Sequence, residues 1–265
     1  VLALLMPEAD SDRDSRRLGR LVADTLGIAC VEEDIAPALA ALGCYARRDA
    51  SIREVVPAYG EGWRSKIVIS ELGSGDGFRL STLVVEDPNG KRSSHRLPVS
   101  AYLGIVAATS MKQRTRKQIE YFHADRLNFA VLGTPNRLEY DQGFFVKNGD
   151  GAADLKPIAH LYKTQVYALA AALGIPHEII ARPPTTDTYT LAQTQEEFYF
   201  SVPYAQMDLC LYGLNNGLPS AEVAAAAAMT PEQVERVWRD IVSKRKSTAY
   251  LHAGPRLVSD VAEVG

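Results

Sequence analysis

The sequence predicts an α/β protein: a doubly wound, mostly parallel sheet with helices on both faces, a β-rich insertion and a helical C-terminal part. Three observations carry this. Short apolar runs such as Val1–Leu5 end in polar loops and hand over to segments with helical spacing, a rhythm that pairs strands in parallel. From about Pro57 to Pro98 the pattern becomes β-branched and rich in turn residues. Beyond Tyr204, apolar residues recur at helical spacing. At 265 residues the chain can bury a sizeable core, and it reads as a single domain, 1–265, with an excursion at 57–98.

The elements follow in order. Val1–Leu5 runs into Met6-Pro7-Glu8, and Ser11 stands where it can cap the next helix. In that helix, Ser15–Leu26, residues Leu18, Leu21, Val22 and Leu26 share one face, and Gly27 stops it. Ile28–Ile35 is a second short strand, and Pro37–Leu42 a brief helix closed by Gly43. In the insertion, Lys66–Ser70 and Leu80–Val85 have β-branched character, and Asp87-Pro-Asn-Gly-Lys is a turn signal. An excursion without function and a substrate lid both fit this segment. Gly73, Gly75 and Gly77 are spaced GxGxG, but no helix signature follows them, which argues against a nucleotide fingerprint.

Met111–Arg126 returns to helix, with Lys112, Arg114, Arg116 and Lys117 crowded in its first half. Such a run is either a solvated face or an arm reaching towards an anion. His123 reads as a packed histidine. Tyr162–Leu173 is amphipathic, with Val166, Leu169, Ala170 and Leu173 on the core side and Gly174 as terminator. Pro176 opens another short helix, and Pro183-Pro184 breaks the pattern. Thr188–Tyr199, with Gln193, Gln195, Glu196 and Glu197, has the composition of a mobile loop acting as a lid. The tail reads as helices Tyr204–Gly213, Ser220–Ala228 and Pro231–Lys246, the last capped by Thr230.

Charge and composition exclude several function classes. The balance of 29 basic and 32 acidic residues, net −3, gives no global field to hold nucleic acid or an anionic membrane, so neither partner is expected. Cys30, Cys44 and Cys210 lie far apart in apolar contexts, without disulfide or zinc spacing, which fits a reducing cytoplasm. No apolar run reaches the ~18 residues of a membrane span. The opening VLALLM is too short for a signal peptide and lacks its basic flank. The chain starts at Val inside what reads as a strand, and residues upstream are expected.

The chemistry concentrates between Gly133 and Lys163. This stretch follows the apolar run Phe129–Leu132, read as a buried strand, and such loops at strand carboxyl ends are where open α/β sheets bind ligands. A polar surface hairpin is the alternative. Gly133 and Thr134 offer backbone N–H groups and a hydroxyl to a nucleotide. Glu139 is a carboxylate suited to Mg²⁺, which is usually held by one or two carboxylates together with phosphates. Lys147 and Asp154 bracket a tight Asn148-Gly-Asp-Gly turn that would aim a cation and an acceptor at one volume. Lys163, in the first turn of a helix, suits a phosphate partner, and Thr185 adds a hydroxyl after two prolines. No Ser/His/Asp or Cys/His arrangement is visible, and the five histidines have no ligand spacing. Phosphate chemistry, in which catalysis is mostly positioning and charge stabilisation, remains.

A resemblance sharpens this reading. Gly133–Glu139 follows G-T-x-N-R-x-E, Gly143–Asp154 follows G-[YF]-F-x-K-x-G-D-G-x-A-D, and Pro157–Lys163 follows P-[IL]-x-x-L-x-K. MPEADSDRDS at Met6–Ser15, PPTTD at Pro183–Asp187 and the basic pair Lys244-Arg245 add to the match. Together these resemble the NAD synthetase family. The resemblance implies the ATP-pyrophosphatase fold and an adenylating amide synthetase: the carboxylate of deamido-NAD attacks the α-phosphate of Mg-ATP, pyrophosphate leaves, and ammonia displaces AMP. By motif position it implies ATP contacts at Thr134, Lys163 and Thr185, Mg²⁺ at Glu139, and dinucleotide contacts at Arg116, Lys147, Asp154 and Lys244. It also implies a homodimer.

The family's Ser-Gly-Gly-x-Asp-Ser pyrophosphate loop is not among the 265 residues. It is expected upstream of Val1, and residues 1–265 alone are not expected to turn over ATP, so no catalytic residue is assigned. The 57–98 segment is longer than the family's usual core. Gln195 stands where the family usually has Asp, and Ser243 where His is common. Two alternatives stay open: ATP-dependent amidation of another carboxylate, and a non-catalytic nucleotide-binding homologue.

Overall fold

The computed structural model describes residues 1–69, 81–186, 188–200, 202–259 and 261. Gly73, Gly75 and Gly77, Ser70, Leu80 and Asp187 lie outside them. The chain is a mixed α/β structure with a parallel sheet and many helices. β1 (Leu2–Leu5) and β2 (Ala29–Glu32) pair in parallel, Leu2 opposite Ala29, with α1 (Arg13–Thr25) between them in the chain. Its cap is Asp12, whose side chain accepts from the Asp14 N–H, rather than Ser11. The Ser11 hydroxyl instead accepts from the Glu8 N–H, closing the turn after β1. α2 (Ala36–Ala41) stands where predicted, followed by a helix the sequence did not announce, α3 (Cys44–Arg53).

The insertion is a three-stranded antiparallel sheet, β3 (Arg64–Ile69), β4 (Ser81–Glu86) and β5 (Arg92–Arg96), in that order. Ile67, Leu83 and Val85 bury one face against Ile52 and Val56, and against Ala101 and Ile105 of α4. α4 (Val99–Leu127) is three turns longer than the periodicity indicated. Pro98 sits at its N-cap, where a missing N–H costs nothing.

The run 129–132 forms no ladder beyond one parallel bridge, Leu132 to Leu155. It is not a buried strand, because Phe129 and Leu132 are half exposed and only Val131 is buried. α5 (Arg137–Gln142) follows, opened by a capping box in which Asn136 accepts from the Leu138 and Glu139 N–H groups while Glu139 accepts from the Asn136 N–H. α6 (Lys163–Ala172) matches the predicted span, but none of its residues is buried, and Leu169 and Leu173 face solvent. α7 (His177–Ile180) is short. A π-helical turn, Glu196–Phe200, replaces the second half of the expected lid.

α8 (Tyr204–Asn215), α9 (Ser220–Ala227) and α10 (Pro231–His252) form the helical C-terminal part. Phe200, Met207, Leu211, Val223, Val234 and Ile241 make its core, joined by Leu138 of α5. That shared core ties the loop 133–163 to the C-terminal helices. Thr230 caps α10, as predicted.

Candidate functional site

Glu139 and Lys163 come together although they stand on different helices. Burial pushes the Glu139 carboxyl above its ordinary range, while the Lys163 ammonium, the Asn136 N–H and a side-chain hydrogen bond from Gln195 pull the other way. The Lys163 Nζ lies over the rings of Tyr204 and Tyr167, 5.3 and 5.8 Å from their centroids. Tyr204 donates its hydroxyl to Gln195 Oε1. Burial, with Glu139 and Glu196 nearby, raises the Tyr204 phenol, so it acts as a donor. Gln195 is thereby held by Tyr204 and presents its amide to Glu139.

α6 carries no capping hydroxyl. The carboxylate of Asp208, from α8, takes that role, accepting the Lys163 N–H at 3.2 Å and the Thr164 N–H at 2.8 Å. Burial raises the Asp208 carboxyl, and those N–H groups and Lys163 oppose the shift. The N-terminus of α6 therefore already holds an anion, and Lys163 offers its side chain rather than the helix end to a ligand.

Thr134 is exposed at the lip of a groove of about 660 Å³ beside β1, lined by Leu2, Leu4, Met6, Val131, Leu132 and Asp150. Thr185 bridges to Thr194, one residue from Gln195, and Gln195 N–H donates to the Pro184 carbonyl. Thr185 is thus joined to the segment that carries Gln195.

The other four predicted contacts are dispersed. Arg116 donates to the Met6 carbonyl at 3.4 Å and faces the loop after β1, whereas Arg114 donates to the Lys147 carbonyl. Lys147 and Asp154 do not aim at one volume. The Lys147 ammonium donates to the Tyr250 and Ala253 carbonyls at the end of α10. Asp154 accepts from the Val131 N–H and the Tyr121 hydroxyl. Lys244 is buried, donating to the Tyr199 carbonyl at 2.6 Å and Gln142 Oε1 at 3.4 Å and pairing with Asp240.

The basic run of α4 is only partly solvated. Lys112 and Lys117 are buried. Lys112 Nζ donates to Glu8 Oε1 (3.0 Å), Asp10 Oδ2 (2.6 Å) and the Thr188 carbonyl (2.8 Å), and Arg48 also pairs with Asp10. His123 is packed against the Glu33 carboxylate. Sequence reasoning missed Asp208 and Tyr204. An acid among apolar helical positions, as in Met207-Asp208-Leu209-Cys210, is the signal that could have flagged the first.

Glu139 is a single carboxylate, and among the described residues no group of three His, Cys, Asp or Glu could hold a metal. That donor set fits Mg²⁺ held jointly with nucleotide phosphates, not a cage made by protein alone.

A family model described as NAD synthase matches residues 95–250. The chain is 70% identical over 264 residues to an NH(3)-dependent NAD(+) synthetase of Rhizobium meliloti (strain 1021), covering 100% of this chain and 79% of that protein. It is 59% identical over 263 residues to one of Mesorhizobium japonicum, covering 99% and 82%. Among solved structures, an NMN synthetase from Francisella tularensis superposes with a TM-score of 0.62 at 18% identity, covering 97% of this chain and 77% of that one. An NH3-dependent NAD synthetase from Campylobacter jejuni gives 0.55 at 17%, covering 98% and 78%. These two likenesses concern the fold. The identities over the whole chain and the match across its site segment make the chain a member of the NAD synthase family.

Proposed function

We propose that this protein makes NAD by ATP-dependent amidation of deamido-NAD with ammonia, through an adenylated carboxylate, releasing AMP and pyrophosphate. The observation that carries the reading is the pairing of Glu139 with Lys163 and Gln195, with Thr185 bridged to the residue before Gln195, on motif segments of an NAD synthase family member. In this reading Thr134, Lys163 and Thr185 hold the phosphates of ATP. Glu139 would hold Mg²⁺, which would supply positive charge to offset that of the phosphates. The Lys163 ammonium favours negative charge developing on the leaving group.

Arg116, Lys147, Asp154 and Lys244 bind the dinucleotide. Lys147 and Lys244 would exchange the carbonyls they now hold for the ligand. The protein works as a cytoplasmic homodimer in this proposal, with residues 1–265 belonging to one domain.

The test is an assay of the protein expressed from its full reading frame, with Mg-ATP, deamido-NAD and either ammonium or glutamine. Equal amounts of NAD, AMP and pyrophosphate with ammonium are expected, and none with glutamine alone. AMP release with another carboxylic acid but not with deamido-NAD would overturn the reading.

A further inference from the structure

The β-rich insertion meets the polar loop that precedes the π-helical turn. β3 is an edge strand of its sheet, and edge strands leave every second N–H and C=O unpaired. At Ser65 and Ile67 these groups point away from β4 and are taken by the loop. Ser65 N–H donates to the Thr190 hydroxyl (2.7 Å), and Leu191 N–H donates to the Ser65 carbonyl (3.1 Å). The Gln193 amide donates to the Ile67 carbonyl, and Lys66 Nζ to the Ala192 carbonyl. Gln193 is 4% exposed. Tyr189, beside these residues, is buried in the insertion's own core with Ile67, Leu83 and Tyr102, and its ring lies 5.6 Å from that of Phe198 in the π-helical turn. Two residues beyond Gln193 is Gln195, which donates to Glu139; Thr194 carries the bridge to Thr185.

We propose that the insertion sheet is the dock of this loop, and that Thr190 and Gln193 are positioning residues: by fixing the loop along β3 they hold Gln195 and Thr185 against the Glu139–Lys163 pair before any nucleotide arrives. The bonding is strand addition, in which main-chain groups give attachment and alternate side chains give register. The segment is therefore neither an idle excursion nor a lid in its own right. The proposal rests on the nucleotide role given to Glu139, Lys163 and Thr185 above.

The test uses Thr190→Val, which keeps shape and removes the hydroxyl, together with Gln193→Leu, and Thr190→Ser as the conservative control. Amide hydrogen exchange of 186–195 is measured without ligand, and KM and kcat for Mg-ATP are measured on the protein from its full reading frame. Loss of three hydrogen bonds, two of the Thr190 hydroxyl with the Ser65 backbone and one of the Gln193 amide, should speed exchange at Leu191 and Gln195 about tenfold or more in the double variant. Because a site competent only part of the time binds in proportion to that fraction, KM for Mg-ATP should rise severalfold while kcat at saturation stays within about twofold. Thr190→Ser should behave as the parent.

Unchanged exchange would overturn the dock. Faster exchange with unchanged KM would overturn the positioning role. Because exchange is read on the ligand-free protein, it does not depend on which acid is amidated: Mg-ATP binding without amidation of deamido-NAD sinks the functional reading alone.

Discussion

Replacing Lys112 by methionine separates two physical pictures of α4. A solvated basic run predicts almost no effect, since surface substitutions usually stay within about ±0.5 kcal/mol. In the structure the Lys112 side chain is 1% exposed, and its ammonium is shared by Glu8, Asp10 and the Thr188 carbonyl. Methionine fills a similar volume but leaves Glu8 Oε1 facing an apolar group. Glu8 Oε2 keeps the Tyr45 hydroxyl and the Asp10 N–H, and Asp10 keeps Arg48, so the loss falls mainly on one oxygen.

Breaking a buried pair from one side costs about 3–5 kcal/mol, and the retained partners place this case near 3. For a chain of this size that is a fall in Tm of about 6–12 °C, at ~2–4 °C per kcal/mol. Urea unfolding measures it as a shift in midpoint at constant slope. Adding Glu8→Gln removes the uncompensated charge and should recover about 1 kcal/mol or more. A Lys112→Met midpoint within about 0.5 kcal/mol of the parent would refute the buried network and restore the solvated face.

Four further substitutions test the site and its frame. Glu139→Gln should leave the melting temperature nearly unchanged and abolish Mg-dependent turnover; retained activity would remove Glu139 from the metal role. Asp208→Ala uncaps α6 and should cost about 1 kcal/mol, with a higher KM for ATP because Lys163 loses its anchored backbone. A normal KM would confine Asp208 to stability. Gly143→Ala combines a φ of 71° with a Cβ that would lie 2.3 Å from Thr248 Cβ, whereas at Gly174 (φ 72°) a Cβ meets nothing within 4 Å. The first should destabilise by several kcal/mol and the second by about 1, read by urea midpoints.

Where local chemistry suffices, the elements were legible. Gly27 and Gly43 end helices, Thr230 and the proline after it start one, and the turn at Asp87 to Lys91 closes a hairpin. The first turns of α4 were not legible. They bury Ala101 and Ile105 yet leave Val99 and Leu103 exposed, so apolar residues surround the helix and no 3.6-residue contrast survives. β5, Arg-Ser-Ser-His-Arg, is a mostly exposed edge strand held by its backbone ladder to β4, which no side-chain pattern announces. α6 carries the expected periodicity, but burial is a property of what packs against it, and none of its residues is buried.

The sequence by itself determined the family and the segment that matters, because its motifs depend on residue identity at fixed spacing along the chain. It could not say which cations in that segment face a ligand. That depends on what each side chain meets from distant parts of the chain. Lys163 meets Glu139 and two tyrosine rings, while Lys147 meets the carbonyls at the end of α10 and Lys244 those of the π-helical turn. Only the tertiary structure brought β3 to the 188–195 loop, more than 120 residues along the chain. Pairing across such separations is decided by which edges remain open once the local elements have formed.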